Sequence, residues 1–292
     1  MEHIPTLHIE AFEQEVLSTE FYCNELAAHL ENNRSLIHKP HSHDFYLCVI
    51  FTEGSGFHEI DFNRYTVAPG SVFFLKPGQV HFWNFSNPPK GYIFFHTKEF
   101  YELRYSHAAV SNYTFYANNY NPPKLQLSDT AIAPIAQRFA ELYTTQTKDF
   151  QFKVRKLVSL IALIYIDLNT LYNANTPSGN VYASNYLQTF YELEHYINQY
   201  YKTEKSAQFY ANQLHRTTKH INRISKELVN KTTTQLITER VILEAKRQLV
   251  HSDNSLTDIC FDLGFEDYAY FSRLFKKYTG NTPSSFKKDY NL

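Results

Sequence analysis

Residues 255–283 restrict this chain to few folds: Ser-Leu-Thr-Asp-Ile-Cys-Phe-Asp-Leu-Gly-Phe-Glu-Asp-Tyr-Ala-Tyr-Phe-Ser-Arg-Leu-Phe-Lys-Lys-Tyr-Thr-Gly-Asn-Thr-Pro. Asp253 or Ser255 can cap a short helix that buries Leu256, Ile259, Cys260 and Leu263. Gly264 stands where that helix must end in the left-handed conformation, which glycine adopts most cheaply, and Phe265 plugs the turn. Asp267 can cap a second helix running to about Tyr278, with Phe271, Leu274, Phe275 and Tyr278 turned inward. Tyr268, Ala269, Ser272, Arg273, Lys276 and Lys277 then fall on its outer side, and Gly280 and Pro283 stop it. The plainest reading is a helical hairpin. The sharper one is a helix-turn-helix, whose second helix is built to enter a major groove.

Shifted back by 50 residues, the pattern recurs. Arg223 matches Arg273, Ile221 matches Phe271, Ile224 matches Leu274, Lys226 matches Lys276 and Thr232 matches Thr282. Thr217 takes the capping place of Asp267, and Phe209, Tyr210, Ala211 and Leu214 lie on the preceding helix. This copy is more degenerate. His215-Arg216 replaces Gly-Phe in a turn one residue shorter, and Ser225 replaces Phe275, which should loosen the local packing. Asn230 stands for Gly280, and Asn tolerates the left-handed end. Between the copies, Thr234–Val250 reads as one amphipathic helix that would fix their spacing.

The two copies and their joining helix resemble the DNA-binding domain of AraC/XylS-type transcription regulators. That resemblance implies a seven-helix domain over 187–292, with helix-turn-helix units at about 206–229 and 255–279. It implies two heads entering successive major grooves about one turn, ~34 Å, apart. By alignment, Lys219, Asn222 and Arg223 are base readers in the first head, and Ala269 and Arg273 in the second, with Tyr268 and Tyr270 alongside. Arg suits guanine and Asn suits adenine in the major groove. Thr217, Thr218, Lys226, Lys276 and Lys277 read as phosphate contacts. Ala269 is shorter than the polar residue many relatives carry, so the second head would depend more on a thymine methyl or on DNA shape.

The front of the chain has another texture. From Ile37 to His96, short apolar and alternating runs are separated by Gly54-Ser-Gly56, Pro69-Gly70 and Pro77-Gly78. Strands at that spacing predict a small β-barrel. His41-x-His43 and Gly70…Gly78…His81 resemble the cupin arm of the same regulators, so the expected fold is α+β and multidomain. It comprises a cupin-like sensor (1–124), dimerisation helices (125–172), a linker (173–186) and the all-α DNA-binding domain. Candidate effector-lining residues are His41, His43, Tyr46, Phe57, His58, Phe74, His81 and Trp83. His41, His43 and His81 could supply three imidazoles to a metal. The usual cupin Glu is missing, however, with Leu47 and Cys48 in its place, and Lys76 stands where the first Pro of the second motif usually does. The expectation is therefore no metal and no cofactor. Ser128–Tyr172 reads as two or three helices, with Ile132, Ile135, Phe139 and Leu142 on one stripe and Phe152, Leu157, Leu160, Ile161, Leu163 and Ile164 on another.

Charge and composition narrow the class. The net charge of −1 alone argues against nucleic acid, but it is unevenly placed. Residues 187–292 carry 15 Lys+Arg against 12 Asp+Glu, net +3, and the remainder 13 against 17, net −4. DNA affinity would then rest on a few placed contacts and on dimerisation. No uninterrupted apolar run approaches a membrane span, the longest being Leu157–Ile166, and the first residues lack a signal-peptide pattern. Three cysteines, Cys23, Cys48 and Cys260, sit in apolar patterns and read as buried thiols of a reducing cytoplasm. The expectation is a cytoplasmic, homodimeric, effector-responsive activator of promoter DNA that would engage RNA polymerase and is not an enzyme. The alternatives are a metal-dependent cupin enzyme with an appended DNA-binding domain, and a regulator without a ligand.

Overall fold

The computed structural model describes residues 5–12, 19–37, 39–102, 109–118, 120–175 and 184–290. They fall into two units, one within Pro5–Gly179 and one within Asn180–Leu292. Most of the expected linker lies outside the described residues; 173–175 and 184–186 are helical.

In the first unit, β4 (Tyr46–Ile60) and β7 (His81–His96) form a long antiparallel ribbon, paired from Tyr46↔His96 to Ile60↔His81. β6 (Ser71–Leu75) and β5 (Asn63–Val67) pair with the two ends of β4, β2 (Phe21–Glu25) pairs with β7, and β8 (Lys124–Gln126) extends β6. β1 (Thr6–Leu7) and β3 (Ser42–His43) make a short parallel pair, and a bridge between His41 and His81 ties that region to β7.

The ribbon changes side halfway. Register shifts between Phe51 and Gly56 break the alternation of β4, because each extra residue in a bulge turns the following side chains over. Before the shift, Leu47, Val49 and Phe51 enter the inner core; after it, Ile60 does. Phe73, Leu75, Ile93 and Phe95 join them, so both halves of the ribbon wrap one apolar interior, as a cupin-like fold requires. The opposite face, with Cys48, Ile50, Val72, Phe74 and Phe94, belongs to a second core.

That second core is closed by helices. Of the short helices, α1 (Leu26–Asn32) and α2 (Arg34–Ile37) place Leu26 and Ile37 in the inner core instead, while α3 (Lys98–Glu102) and α4 (Thr114–Ala117) place Phe100, Tyr101, Phe115 and Tyr116 in the second. α5 (Asp129–Gln146) buries Ile135, Phe139 and Leu142, and α6 (Lys153–Asn175) buries Leu157, Ile161, Ile164, Tyr165 and Leu168. A short polar chain crosses this core. The Tyr165 hydroxyl bonds His96 Nε2 at 2.7 Å, and the Tyr116 hydroxyl donates to the Leu47 carbonyl at 2.7 Å. The expected stripe on α6 is corrected in part: Phe152, before the helix, and Leu163 are exposed, as is Ile166. Although polar residues interrupt it, Lys153–Ala174 is by length and composition, over 22 residues, apolar enough to cross a membrane. Half of that window is buried, its inner side being part of the core shared with the sheet.

The second unit is all helix: α7 (Ser184–Tyr200), α8 (Ala207–Gln213), α9 (Thr218–Val229), α10 (Thr233–His251), α11 (Leu256–Asp262), α12 (Tyr268–Thr279) and α13 (Pro283–Tyr290). Leu236, Ile237, Val241, Ile242, Ala245 and Leu249 of α10 are all buried. α10 also starts on a capping box in which Thr232 and Gln235 satisfy each other's backbone N–H groups.

Candidate functional site

Each repeat folds as two helices joined by a tight turn, α8–α9 and α11–α12. The caps follow the residue chemistry: Ser206, Thr217, Ser255 and Asp267 each accept a bond from a backbone N–H in the first turn of their helices. Gly264 has φ +74°, and a Cβ there would stand 1.9 Å from the Lys202 carbonyl oxygen, so only glycine fits the second turn. The first turn uses His215 at φ 50°, and α9 and α12 end on left-handed Asn230 and Gly280. Ser225 is fully buried, and its hydroxyl donates to the Ile221 carbonyl at 2.9 Å. The site of the missing aromatic is thus occupied by a satisfied polar group.

On α9, Lys219, Arg223 and Lys226 are exposed; on α12, Ala269, Tyr270, Arg273, Lys276 and Lys277 are exposed and Tyr268 is half-buried. Both arginines therefore stand on open helix faces. Thr217 caps α9, its oxygen accepting from His220 N, and the Thr218 hydroxyl donates to Gln208 at 2.9 Å. Asn222 departs from the sequence expectation. It is half-buried, and its side-chain oxygen accepts from Thr233 N at 2.9 Å. That carboxamide serves the first turn of α10, so its acceptor is not presented to a base.

Sequence reasoning also missed a neighbour of Arg223. The guanidinium carbon lies 5.4 Å from the centre of the Tyr186 ring, and Nη2 lies 3.4 Å from His220 Nδ1. Tyr186 meets the His220 ring edge-on at 5.9 Å. This small stack limits the rotamers open to Arg223. Tyr186 belongs to the stretch expected to be linker, where nothing in the local pattern marks it.

In the first unit, His41, His43, His58 and His81 come together, with Trp83 beside them. The His81 ring lies 4.4 Å from His41, 5.2 Å from His43, 5.1 Å from His58 and 5.0 Å from Trp83. His41 Nδ1 donates to the Lys39 carbonyl at 2.9 Å and His43 Nδ1 to the Phe45 carbonyl at 2.8 Å. His58 Nε2 and His81 Nδ1 share a bond of 2.9 Å. Burial dominates their titration: it lowers His41, drives His43 down to about 3, and holds His58 and His81 well below the ordinary value. The charge each would add near the others acts in the same direction for His43, His58 and His81. His29, which the sequence did not single out, is a neighbour, 6.4 Å from Trp83, and burial drives it to about 3.

Three candidates do not belong to this group. Tyr46 stacks on His96 at 5.6 Å and meets Tyr116 at 5.1 Å, so it lies in the outer core. Phe74 stacks on Phe115 at 3.8 Å in that same core. Phe57 lies beneath the Arg64 guanidinium at 4.7 Å and against Phe82, away from neighbouring His58. Strand alternation accounts for all three. Among the described residues, no group of three His, Cys, Asp or Glu side chains is placed to hold a metal ion.

The comparisons agree with this division of labour. A family model described as an AraC-like ligand binding domain matches residues 26–151, and a helix-turn-helix domain model matches residues 210–289. The HTH-type transcriptional activator RhaS of Yersinia pestis (strain Pestoides F) is 23% identical over 255 residues, 85% of this chain and 88% of that protein. RhaS of Klebsiella pneumoniae (strain 342) is 24% identical over 250 residues, 81% and 83% of the two chains. A structure of apo ToxT from Vibrio cholerae covers 92% of this chain and 97% of that one at 14% identity, with a TM-score of 0.41. With an AraC-like ligand-binding domain followed by a helix-turn-helix domain that folds as two helix-turn-helix units, this chain has the architecture of AraC/XylS-type transcription regulators.

Proposed function

We propose that the chain is a cytoplasmic, effector-responsive activator that binds promoter DNA as a homodimer and engages RNA polymerase there. Residues 1–124 sense the effector, 125–172 dimerise, 173–186 link, and 187–292 hold the DNA. The observation that carries this reading is the pair of exposed arginines, Arg223 and Arg273, on the outer faces of two capped helices joined through one buried helix, α10. Lys219, Arg223, Ala269 and Arg273 read bases, with Tyr268 and Tyr270 beside them. Thr217, Thr218, Lys226, Lys276 and Lys277 hold phosphates. Asn222 fixes the joint between α9 and α10. The exposed apolar row Phe152, Leu163 and Ile166 supports dimerisation along α6, since covering it would remove apolar surface from water. The relatives bear the name of activators, which favours activation over repression. Among the described residues no group of three His, Cys, Asp or Glu side chains is placed to hold a metal ion, which favours a sensor over a metal-dependent enzyme.

Selection of binding sites from genomic DNA by the purified full-length protein tests this. The expected result is a gapped motif with two sub-sites about 10 base pairs apart. A single short motif would remove one head from the reading. No enrichment from folded protein, with or without the effector, would sink the DNA-binding reading itself.

A further inference from the structure

The loop that precedes the first helix-turn-helix, between α7 and α8, lies against the turn of the second. Lys202 Nζ in that loop donates to Asp262 Oδ2, at the end of α11, at 2.7 Å. The same carboxylate oxygen accepts from Gln248 Nε2 of α10 at 2.7 Å. Lys205 Nζ donates to the Lys202 carbonyl at 2.7 Å and lies 5.1 Å from the centre of the Phe265 ring. The backbone at Gly264 approaches that carbonyl closely enough to exclude a Cβ. Phe265 is buried and meets Phe271 of α12 at 5.2 Å. A continuous set of contacts thus runs from the entrance of the first head, through Asp262 and Phe265, to the reading helix of the second.

The repeat shows what these contacts are for. The corresponding turn of the first head, His215-Arg216, is exposed, and that hairpin closes without an outside loop upon it. A contact made by one copy alone is not demanded by the hairpin; it belongs to the arrangement of the two copies. Its energetics agree. The Lys202 and Asp262 side chains are 40% and 46% exposed, and an ion pair so open adds little to stability. Its effect is geometric. Two bodies carried by one rod, here α10, can still rock about it, and a second attachment beside the rod removes that freedom.

We infer that the 202–205 loop is a strut between the two heads, with Lys202, Lys205 and Asp262 as positioning residues that fix the tilt of α12 relative to α9. Each head keeps its own base preference, and the strut narrows the gap between sub-sites that one protomer can span. Lysines in a DNA-binding domain also suit phosphates. Here one ammonium is engaged by a carboxylate and the other by a carbonyl and a ring face. The two roles give opposite signs at Asp262. Deleting a carboxylate lessens repulsion from DNA and tightens binding if charge alone acts; deleting the strut loosens it. This assignment rests on the two-headed DNA reading above.

Fluorescence anisotropy with full-length protein tests it, on duplexes carrying the two-part site obtained by genomic selection. Matched duplexes have the gap changed by one base pair in either direction, or hold the first sub-site alone. Asp262→Ala and, separately, Lys205→Met should bind the parental gap about threefold or more weaker and lose a similar factor of its advantage over the altered gaps, because a loosened second head has a lower effective concentration at its sub-site. Affinity for the first sub-site alone, and base preference within each sub-site, should stay as in the parent protein. Lys202→Arg keeps the ion pair and should behave as the parent does. If one of the two disruptive variants fails to fold, the other decides. An unchanged gap preference in folded variants would overturn the strut. Tighter binding of Asp262→Ala to every duplex would reassign that residue to charge. Uniform weakening of Lys205→Met with a shallower salt dependence would reassign it to phosphate. A parent protein indifferent to the gap would instead sink the two-headed reading itself.

Discussion

At the scale of single residues, the two heads differ in how firmly they hold their arginines. Arg223 is flanked by Tyr186 and His220, whereas Arg273 has no such partner among the described residues. A side chain held near its bound rotamer loses less entropy on docking. Arg223→Ala should therefore cost about 1–3 kcal/mol of DNA binding and relax the choice of one or two base pairs. Fluorescence anisotropy on singly substituted sites checks this, and uniform weakening with unchanged base preference would reassign Arg223 to phosphate. Tyr186→Leu should weaken binding a few-fold through the same base pairs, because a cation–π contact is worth about 0.5–1 kcal/mol at an exposed site; Tyr186→Phe should restore it. The arginines were legible in the sequence because a repeat aligns them. Tyr186 was not, because it reaches Arg223 from another helix, and neither was Asn222's engagement with Thr233, since an outward position in the helical repeat does not report where a short amide finds its partner.

At the scale of elements, turn and cap chemistry decided most of what could be read in advance. The glycine at 264 is the clearest case, and Gly264→Ala tests it. The new methyl would meet the Lys202 backbone at a left-handed φ, so a loss of at least about 2 kcal/mol is expected in urea unfolding. A melt unchanged from the parent protein would show that the loop before α8 gives way. Thr232→Ala removes one half of the capping box of α10 and should cost about 1 kcal/mol. Strand elements were less legible than helical ones. Alternation along β4 holds on either side of the register shifts between Phe51 and Gly56 but changes phase across them. Which of Phe57 and His58 faces inward depends on where those shifts fall. Phe74 and Tyr46 were misplaced for a related reason, as each belongs to a strand buried on both faces, where hydrophobicity does not mark the inner side.

At the scale of the molecule, the two units should answer acid differently. In the first, burial lowers His29 and His43 to about 3 and His96 to about 4, and depresses His41, His58 and His81 as well. In the unfolded chain these groups return to about 6.5. The unfolded state therefore binds more protons below that value, and stability falls as the pH drops from about 6.5 towards 4. The slope is about 1.4 kcal/mol per pH unit for each histidine that remains neutral when folded. The second unit has His251, lowered to about 4, and little else of this kind. Urea unfolding followed by Trp83 fluorescence should move to lower midpoints between pH 7 and 5, well before the helical signal of the second unit is lost. Coincident loss of both signals would contradict it. The two-unit division itself was legible from the change of texture along the chain, but the core shared by the sheet with α5 and α6 was not, because its contacts join segments far apart in sequence.

The bond from Thr233 to the Asn222 carboxamide makes the joint between α9 and α10 a gauge block. If that amide sets how far apart two grooves must lie, then Asn222→Ala should spare the letters of the operator and blur its punctuation. Duplexes in which the gap between sub-sites is lengthened or shortened by one base pair should be penalised less by the variant than by the parent protein. A regulator of this build would then acquire new operator spacings by changing a residue that touches no base.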